Sequence, residues 1–214
     1  MKPKDNKSKD IQNKCDKLGN EPIVLDGHKL CFHQDRIKEW FAGKRIAPIT
    51  IDMALTRSCN YKCVYCYGML QENKRQVLTK EILFNFLDDA AEIGVKAISL
   101  VSDGESMCSP YFYDFISYAK KKGLDIAVGT NGSILKKEKL KDMLSALTYL
   151  RFNMSAGEPK RYAYIMGCKE DDFHRVCATV KECVRLKREN NFSVTIGLQM
   201  VLMPDFKDQV MPLT

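Results

Sequence analysis

The sequence predicts an α/β fold of parallel strands, and three observations carry that prediction. Five short runs rich in Ile, Val, Leu or Met, at 49–55, 96–101, 124–129, 149–155 and 193–201, have the length and composition of buried strands. Between them lie segments whose apolar residues recur at three- and four-residue spacing, the period of a helix with one buried face. The two patterns alternate from Ile49 onward, which makes a chain of βα units.

Taken in order, residues 1–20 combine Lys, Asp and Asn with almost no apolar side chains, and are expected to form a disordered lysine-rich tail. Residues 21–48 read as a short prefix packing on the main unit. It has Ile23-Val24-Leu25, a turn at Asp26-Gly27, and an amphipathic piece around Ile37, Trp40 and Phe41 before Pro48. The first helix after the 49–55 strand carries Ile82, Leu83, Phe86, Leu87, Ala90 and Ala91 on one face and stops near Gly94. The second has Ser109 at the cap and Pro110 in its first turn, repeats Phe112, Phe115, Ile116 and Ala119, and ends at Gly123. A third carries Leu140, Met143, Leu144 and Leu147, and a fourth runs from about Asp172 to Arg188. Parallel strands joined this way form either an open doubly wound sheet or a curved barrel, and periodicity does not separate the two.

At 214 residues the chain can bury one sizeable core, and its 45% hydrophobic and 29% charged residues are those of an ordinary soluble protein. No apolar run reaches the length of a membrane span, and no apolar signal region follows the polar start, so a cytoplasmic location is expected. The net charge of +7 sits largely in the first twenty residues and on helix surfaces such as Lys120-Lys121-Lys122. Without interleaved aromatics or a nucleic-acid module, that charge does not establish a nucleic-acid partner.

Nine cysteines point to a reducing compartment where thiols stay available for metal. Cys177 and Cys183 share a helix face with Phe173, Val176, Val180 and Val184, which favours core packing, and Cys15, Cys31, Cys108 and Cys168 are scattered. Cys59, Cys63 and Cys66 stand apart, as Cys-Asn-Tyr-Lys-Cys-Val-Tyr-Cys just after the first strand. A structural zinc site wants four ligands in two pairs, and His28, His33 and His174 are not arranged to complete one. A disulfide would leave one of three crowded cysteines unpaired. Three thiolates with no local fourth suit a 4Fe-4S cluster with one iron left open to a small molecule.

The three-then-two spacing, with Tyr65 before the last cysteine, resembles the CxxxCxΦC signature of the radical S-adenosylmethionine (SAM) superfamily. The resemblance implies a 4Fe-4S cluster held by Cys59, Cys63 and Cys66, with the amino and carboxylate groups of SAM on the open iron. It also implies a partial (β/α)6 TIM-like barrel with the cluster loop after the first strand. Further stations follow in the family's order over roughly residues 48–206. Ser102-Asp103-Gly104-Glu105-Ser106 stands where the family has Gly-Gly-Glu-Pro, the turn that receives the SAM amino group; Gly104 and Glu105 match, while Asp103 and Ser106 depart. Gly129-Thr130-Asn131-Gly132 matches the family's Thr-Asn-Gly turn. Arg151-Phe152-Asn153-Met154-Ser155-Ala156-Gly157 is similar to the strand ending in a Ser that bonds the SAM ribose or carboxylate, which gives Ser155 that role. Gln199, within Ile196-Gly197-Leu198-Gln199-Met200, falls in the place of the adenine-contacting motif, and Tyr65 is expected beside the cluster near the adenine. The segment Tyr162-Ala163-Tyr164-Ile165-Met166-Gly167 is similar to one in SPASM-type members.

The resemblance thus implies an enzyme that cleaves SAM to a 5′-deoxyadenosyl radical, which abstracts hydrogen from a small-molecule or peptide substrate. The reductant would be a protein such as flavodoxin or ferredoxin. No residue is assigned as a substrate base or radical relay. Since the chain ends soon after the fifth strand, residues 49–214 are expected to be a radical SAM core incomplete at its C-terminus. That leaves a second expectation, a truncated non-enzymatic iron–sulfur or partner-binding protein.

Overall fold

A computed structural model describes residues 33–70 and 77–213. Five strands, β1 (Thr50–Asp52), β2 (Ala97–Leu100), β3 (Asp125–Thr130), β4 (Tyr149–Asn153) and β5 (Thr195–Gln199), form one parallel sheet in the order β1-β2-β3-β4-β5. An open doubly wound sheet reverses its strand order part-way. This sheet does not, so crossovers of one hand put the helices on one face and the sheet curves as a partial barrel. Periodicity left that choice open, the resemblance implied the barrel, and the strand order bears the barrel out.

The helices are α1 (Gln34–Phe41), α2 (Lys80–Glu92), α3 (Phe112–Lys121), α4 (Leu140–Ala146), α5 (Pro159–Met166), α6 (Glu170–Asn190) and the short α7 (Val210–Leu213). Alternate strand residues, Ile98, Leu100, Ile126, Val128, Leu150 and Phe152, are buried in one core with Leu83 and Leu87 of α2, Phe112, Phe115 and Ile116 of α3, Leu140 and Leu144 of α4, and Val176 and Cys183 of α6. The other parity of the strands is small or polar: Ser99, Ala127, Gly129, Arg151, Asn153 and Gly197. With period two along each strand, that second set forms the inner wall of the barrel.

A second buried cluster, Tyr61, Met154, Ala156, Tyr162, Ile165, Met166 and Phe206, lies past the C-terminal end of the sheet. It packs α5 against the cysteine loop, with Phe173 and Cys177 of α6 at its edge. The two helical cysteines therefore serve two different cores.

Several expectations need correction. The 49–55 strand shortens to Thr50–Asp52, because the chain leaves the sheet to start the cysteine loop. Ile82 is exposed, since the buried stripe of α2 runs through Leu83, Leu87 and Ala90. The second helix begins at Phe112, and the Ser109 hydroxyl instead accepts from the Tyr111 N–H at 3.4 Å. Helix α1 forms, but Trp40 and Phe41 are exposed; its tie to the barrel is Arg36, which donates to the carbonyls of Ala47 (2.8 Å) and Gly94 (2.9 Å). Helix α5 was not foreseen, although Pro159 in its first turn, Gly167 after its end, and Tyr162, Ile165 and Met166 at i, i+3 and i+4 all signal one. The lysine-rich tail and residues 21–32 of the prefix lie outside the described residues.

Candidate cofactor site

The cysteine loop leaves β1 through buried Leu55 and Thr56 and crosses the C-terminal end of the sheet. Two bonds strap it to the end of α5: Lys62 N–H donates to Gly167 O (3.3 Å) and Val64 N–H to Ile165 O (3.0 Å). Gly167 sits at φ +60°, and a Cβ there would run into the Lys62 carbonyl, so only glycine permits the contact. Within the loop Cys66 N–H donates to Cys63 O (3.0 Å) and Tyr61 N–H to Cys59 Sγ (3.4 Å). Cys59 and Cys66 are exposed and Cys63 is half-buried.

The turn after β2 docks onto the start of this loop. Gly104, at φ +66°, lies so close that a Cβ would sit 2.5 Å from Thr56 O and 2.7 Å from Ser58 O. Glu105 N–H donates to Ser58 O at 2.9 Å. Asp103 reaches both ends of the loop, accepting from the Tyr67 hydroxyl (3.1 Å) and pairing with Arg57 Nε (3.5 Å).

The turn after β3 is tied in through side chains. The buried Glu105 carboxylate accepts from Thr130 Oγ1 (3.0 Å), Asn131 N–H (2.8 Å) and Met107 N–H (3.4 Å). Burial pushes the Glu105 carboxyl up to about 6, against those three donors, which favour the ionised form. The Asn131 amide donates to Asn60 Oδ1 (2.9 Å), and its own Oδ1 accepts from the N–H and hydroxyl of Ser133 (3.0 and 2.8 Å). Asn60 Nδ2 donates in turn to Ser133 Oγ (2.7 Å). Three loops from three strands thus form one hydrogen-bonded unit.

Between them opens a cavity of about 610 Å³. All three cysteines line it, as do Tyr65, Asp103, Gly104, Glu105 and Asn131. Two expected residues do not. Ser155 is fully buried behind Tyr65, where its hydroxyl accepts from Val201 N–H (3.2 Å) and lies 3.1 Å from the Tyr65 hydroxyl. Gln199 is exposed on β5, and its backbone carbonyl accepts from Met154 N–H (2.8 Å). Asn153 lines the cavity instead, at the last position of β4. The motif match points to Ser155, whereas inward parity on the strand marks Asn153.

The donor set fits a cluster. Desolvation by the surrounding loop atoms pushes the Cys59 thiol up to about 11 although the residue keeps an exposed surface, and burial pushes the Cys63 thiol up to about 12 and raises the Tyr65 phenol. Cluster binding must therefore displace protons. Among the described residues no three His, Cys, Asp or Glu side chains converge on one metal position. A cubane takes each thiolate at a different iron, so sulfurs spread around one cavity are a suitable arrangement for it.

A model of the Radical SAM superfamily matches residues 53–212. The chain belongs to the radical SAM superfamily. Its cofactors are accordingly a 4Fe-4S cluster and SAM. An AdoMet-dependent heme synthase of Methanosarcina barkeri is 33% identical over 101 residues, 47% of this chain and 29% of that protein. A probable GTP 3′,8-cyclase of Methanocella arvoryzae is 32% identical over 129 residues, 59% of this chain and 40% of that protein. Among solved structures, Streptococcus suis SuiB bound to precursor peptide SuiA superposes with a TM-score of 0.65 at 15% identity, covering 97% of this chain and 47% of that one. Native anSMEcpe with bound AdoMet superposes at 0.60 with 14% identity, over 77% of this chain and 46% of that one. These likenesses show the partial-barrel fold, and this radical SAM chain spans less than half the length of each of the four. Among its described residues no helix is long and apolar enough to cross a membrane.

Proposed function

We propose that this chain is a radical SAM enzyme in which Cys59, Cys63 and Cys66 hold the cluster and SAM occupies the adjoining cavity. The observation that carries the reading is the meeting of the three cysteines with the β2 and β3 turns around one cavity. Bound there, the cluster and SAM supply reductive cleavage of a carbon–sulfur bond, giving a 5′-deoxyadenosyl radical that removes hydrogen from a substrate carbon. The chain's own residues bind and position. The carbonyl-rich turn at Asp103-Gly104 would accept from the SAM ammonium, and the amides of Asn131 and Asn153 would bond its carboxylate and ribose. Glu105 acts by holding the turn against β3, since its carboxylate oxygens already accept three bonds. Tyr65 and Met166 close one side with apolar surface and keep water from the reacting end. Ser155 acts through Tyr65, whose hydroxyl it meets, and Gln199 lies too far toward solvent for adenine contact without rearrangement of the β5 end.

A protein reductant such as flavodoxin or ferredoxin would deliver the electron to the cluster. The substrate is a small molecule or a peptide: the named reactions of the heme synthase and cyclase relatives favour the first, the SuiA complex the second. The test is anaerobic reconstitution with iron and sulfide, reduction with SAM, and assay of 5′-deoxyadenosine, beside a Cys59→Ala/Cys63→Ala/Cys66→Ala control. Product that vanishes in the control is the expected result. A stable cluster that yields none would favour the non-enzymatic iron–sulfur reading, and no cluster at all would sink both.

A further inference from the structure

The inner wall of the barrel holds a cation that the cofactor site does not use. Arg151 of β4 pairs in register with Gly129 of β3 on one side and Gly197 of β5 on the other. Neighbouring strands therefore present no side chain at its level. Its guanidinium leans over Gly129: a Cβ there would lie 3.1 Å from Arg151 Nη2 and 2.9 Å from Val101 Cγ1. Gly129 and Val101 both line the cofactor cavity, as does Asn153, the next inward residue of β4. On the other flank the Tyr149 hydroxyl leans over Gly197, 3.1 Å from where a Cβ would stand. The two glycines give these side chains room along the wall, and the guanidinium lies against Gly129, which itself lines the cavity.

Arg151 has no internal use for that charge. Its Nε–H is buried without a hydrogen-bond acceptor, and among the described residues the guanidinium makes no ion pair. An unmet buried donor costs about 1–3 kcal/mol, more when charged. Its planar fork matches the two oxygens of a carboxylate or phosphate.

We propose that Arg151 recognises an oxyanion of the substrate, a carboxylate or a phosphate group, presented in the barrel lumen beside the SAM cavity. This rests on the enzymatic reading above and narrows it to substrates that carry such a group near the reacting carbon. The Tyr149 hydroxyl lies on the same strand face and can bond a remaining oxygen.

The probe is phenylglyoxal, an arginine-selective reagent, applied to the full reconstituted protein with and without inorganic phosphate or, separately, acetate. Mass spectrometry follows modification at Arg151, with exposed Arg188 as the internal control. We expect phosphate or acetate to slow modification of Arg151 roughly tenfold at saturation while Arg188 is unaffected. Phosphate-only protection indicates a phosphorylated substrate, and protection by acetate indicates a carboxylate. In parallel, SAM affinity is measured by equilibrium dialysis on Arg151→Met, with Arg151→Lys as the milder variant should the first not fold. It should stay within about twofold of the parent, since a lost charged bond would cost roughly tenfold. A tenfold loss would instead assign the guanidinium to the SAM carboxylate and overturn the proposal. So would equal slowing at Arg151 and Arg188, no slowing at either, or an Arg151 that stays unlabelled while Arg188 reacts. A parent protein that makes no 5′-deoxyadenosine yet shows selective anion protection would refute the enzymatic reading and leave the anion site standing.

Discussion

Replacing Glu105 with Gln removes a titrating group from the centre of the hydrogen-bonded unit and leaves its shape. Burial raises this carboxyl from an ordinary 4.5 to about 6 in the folded chain. That rise corresponds to about 2 kcal/mol of differential proton binding, at 1.36 kcal/mol for each tenfold change. A carboxyl whose folded-state pKa is raised holds its proton more tightly in the native than in the unfolded chain. Its stabilising contribution is therefore complete below about 4.5 and is lost as pH climbs through about 6. The exposed carboxylates whose pKa values are lowered, Asp88, Glu182 and Asp208, act in the opposite sense and at lower pH, and they cancel when variant and parent are compared. The assay is urea unfolding by circular dichroism on cluster-free protein at stepped pH from about 4 to about 7.5. The free-energy difference between the two proteins should swing by about 2 kcal/mol toward Glu105→Gln as pH rises. Parallel profiles would refute the reasoning, and a swing toward the parent would mean that the three donors on Glu105 outweigh its burial.

Three further outcomes are expected. Gly104→Ala forces a side chain onto the Thr56 and Ser58 carbonyls at positive φ, so it should cost about 2 kcal/mol or more and lower the iron bound per chain; an unchanged urea midpoint and iron content would exclude the close approach. Cys63→Ser leaves the fold intact by circular dichroism but should abolish the visible iron–sulfur absorption after reconstitution, and retention of a full cluster would remove Cys63 from the ligand set. Tyr65→Phe loses one hydroxyl shared with Ser155 and Met166, so unfolding should weaken by about 1 kcal/mol at unchanged iron content; a loss of iron would give the hydroxyl a part in loading.

Much of the architecture was legible because it rests on period. Leu83, Leu87 and Ala90, or Phe112, Phe115, Ile116 and Ala119, mark a helix face whatever the rest of the chain does, and all of them are buried. The cysteines were legible from their spacing after the first apolar run, and the Gly104-Glu105 turn from its resemblance to the family's turn. What sequence could not give was which side chain faces the cavity once a strand has ended. Ser155 has the inward parity of Asn153, but β4 stops at Asn153, and two residues later the chain is already turned under Tyr65. Gln199 failed likewise, at the last residue of an edge strand where nothing beyond holds it inward. Ile82 shows the same limit on a helix: one position off the buried stripe is enough to expose it.

The hydrogen bonds around Glu105 and Asn131 explain why departures from the family turn are tolerable here. Asp103 and Ser106 stand where the family has Gly and Pro, which would matter if the turn owed its shape to those two positions. It relies on Gly104 at positive φ and on the Glu105 carboxylate rather than on a glycine at 103 or a proline at 106. The turn is fixed from outside, by Ser58 O on Glu105 N–H, by Arg57 and Tyr67 on Asp103, and by the β3 turn on the Glu105 carboxylate. Through Asn131 and Asn60 the same network returns to the cysteine loop, so the loop that carries the thiols and the turn that faces them are set by shared bonds. A site held by such shared bonds loses little entropy on loading. It also makes the bonds interdependent: cutting Asn60 from Asn131 should loosen the Gly104 turn, which Asn131 reaches through its bond to Glu105, and a double-mutant cycle of Asn60→Ala with Glu105→Gln should show coupling of about 0.5 kcal/mol or more, where independent loops would give additive losses.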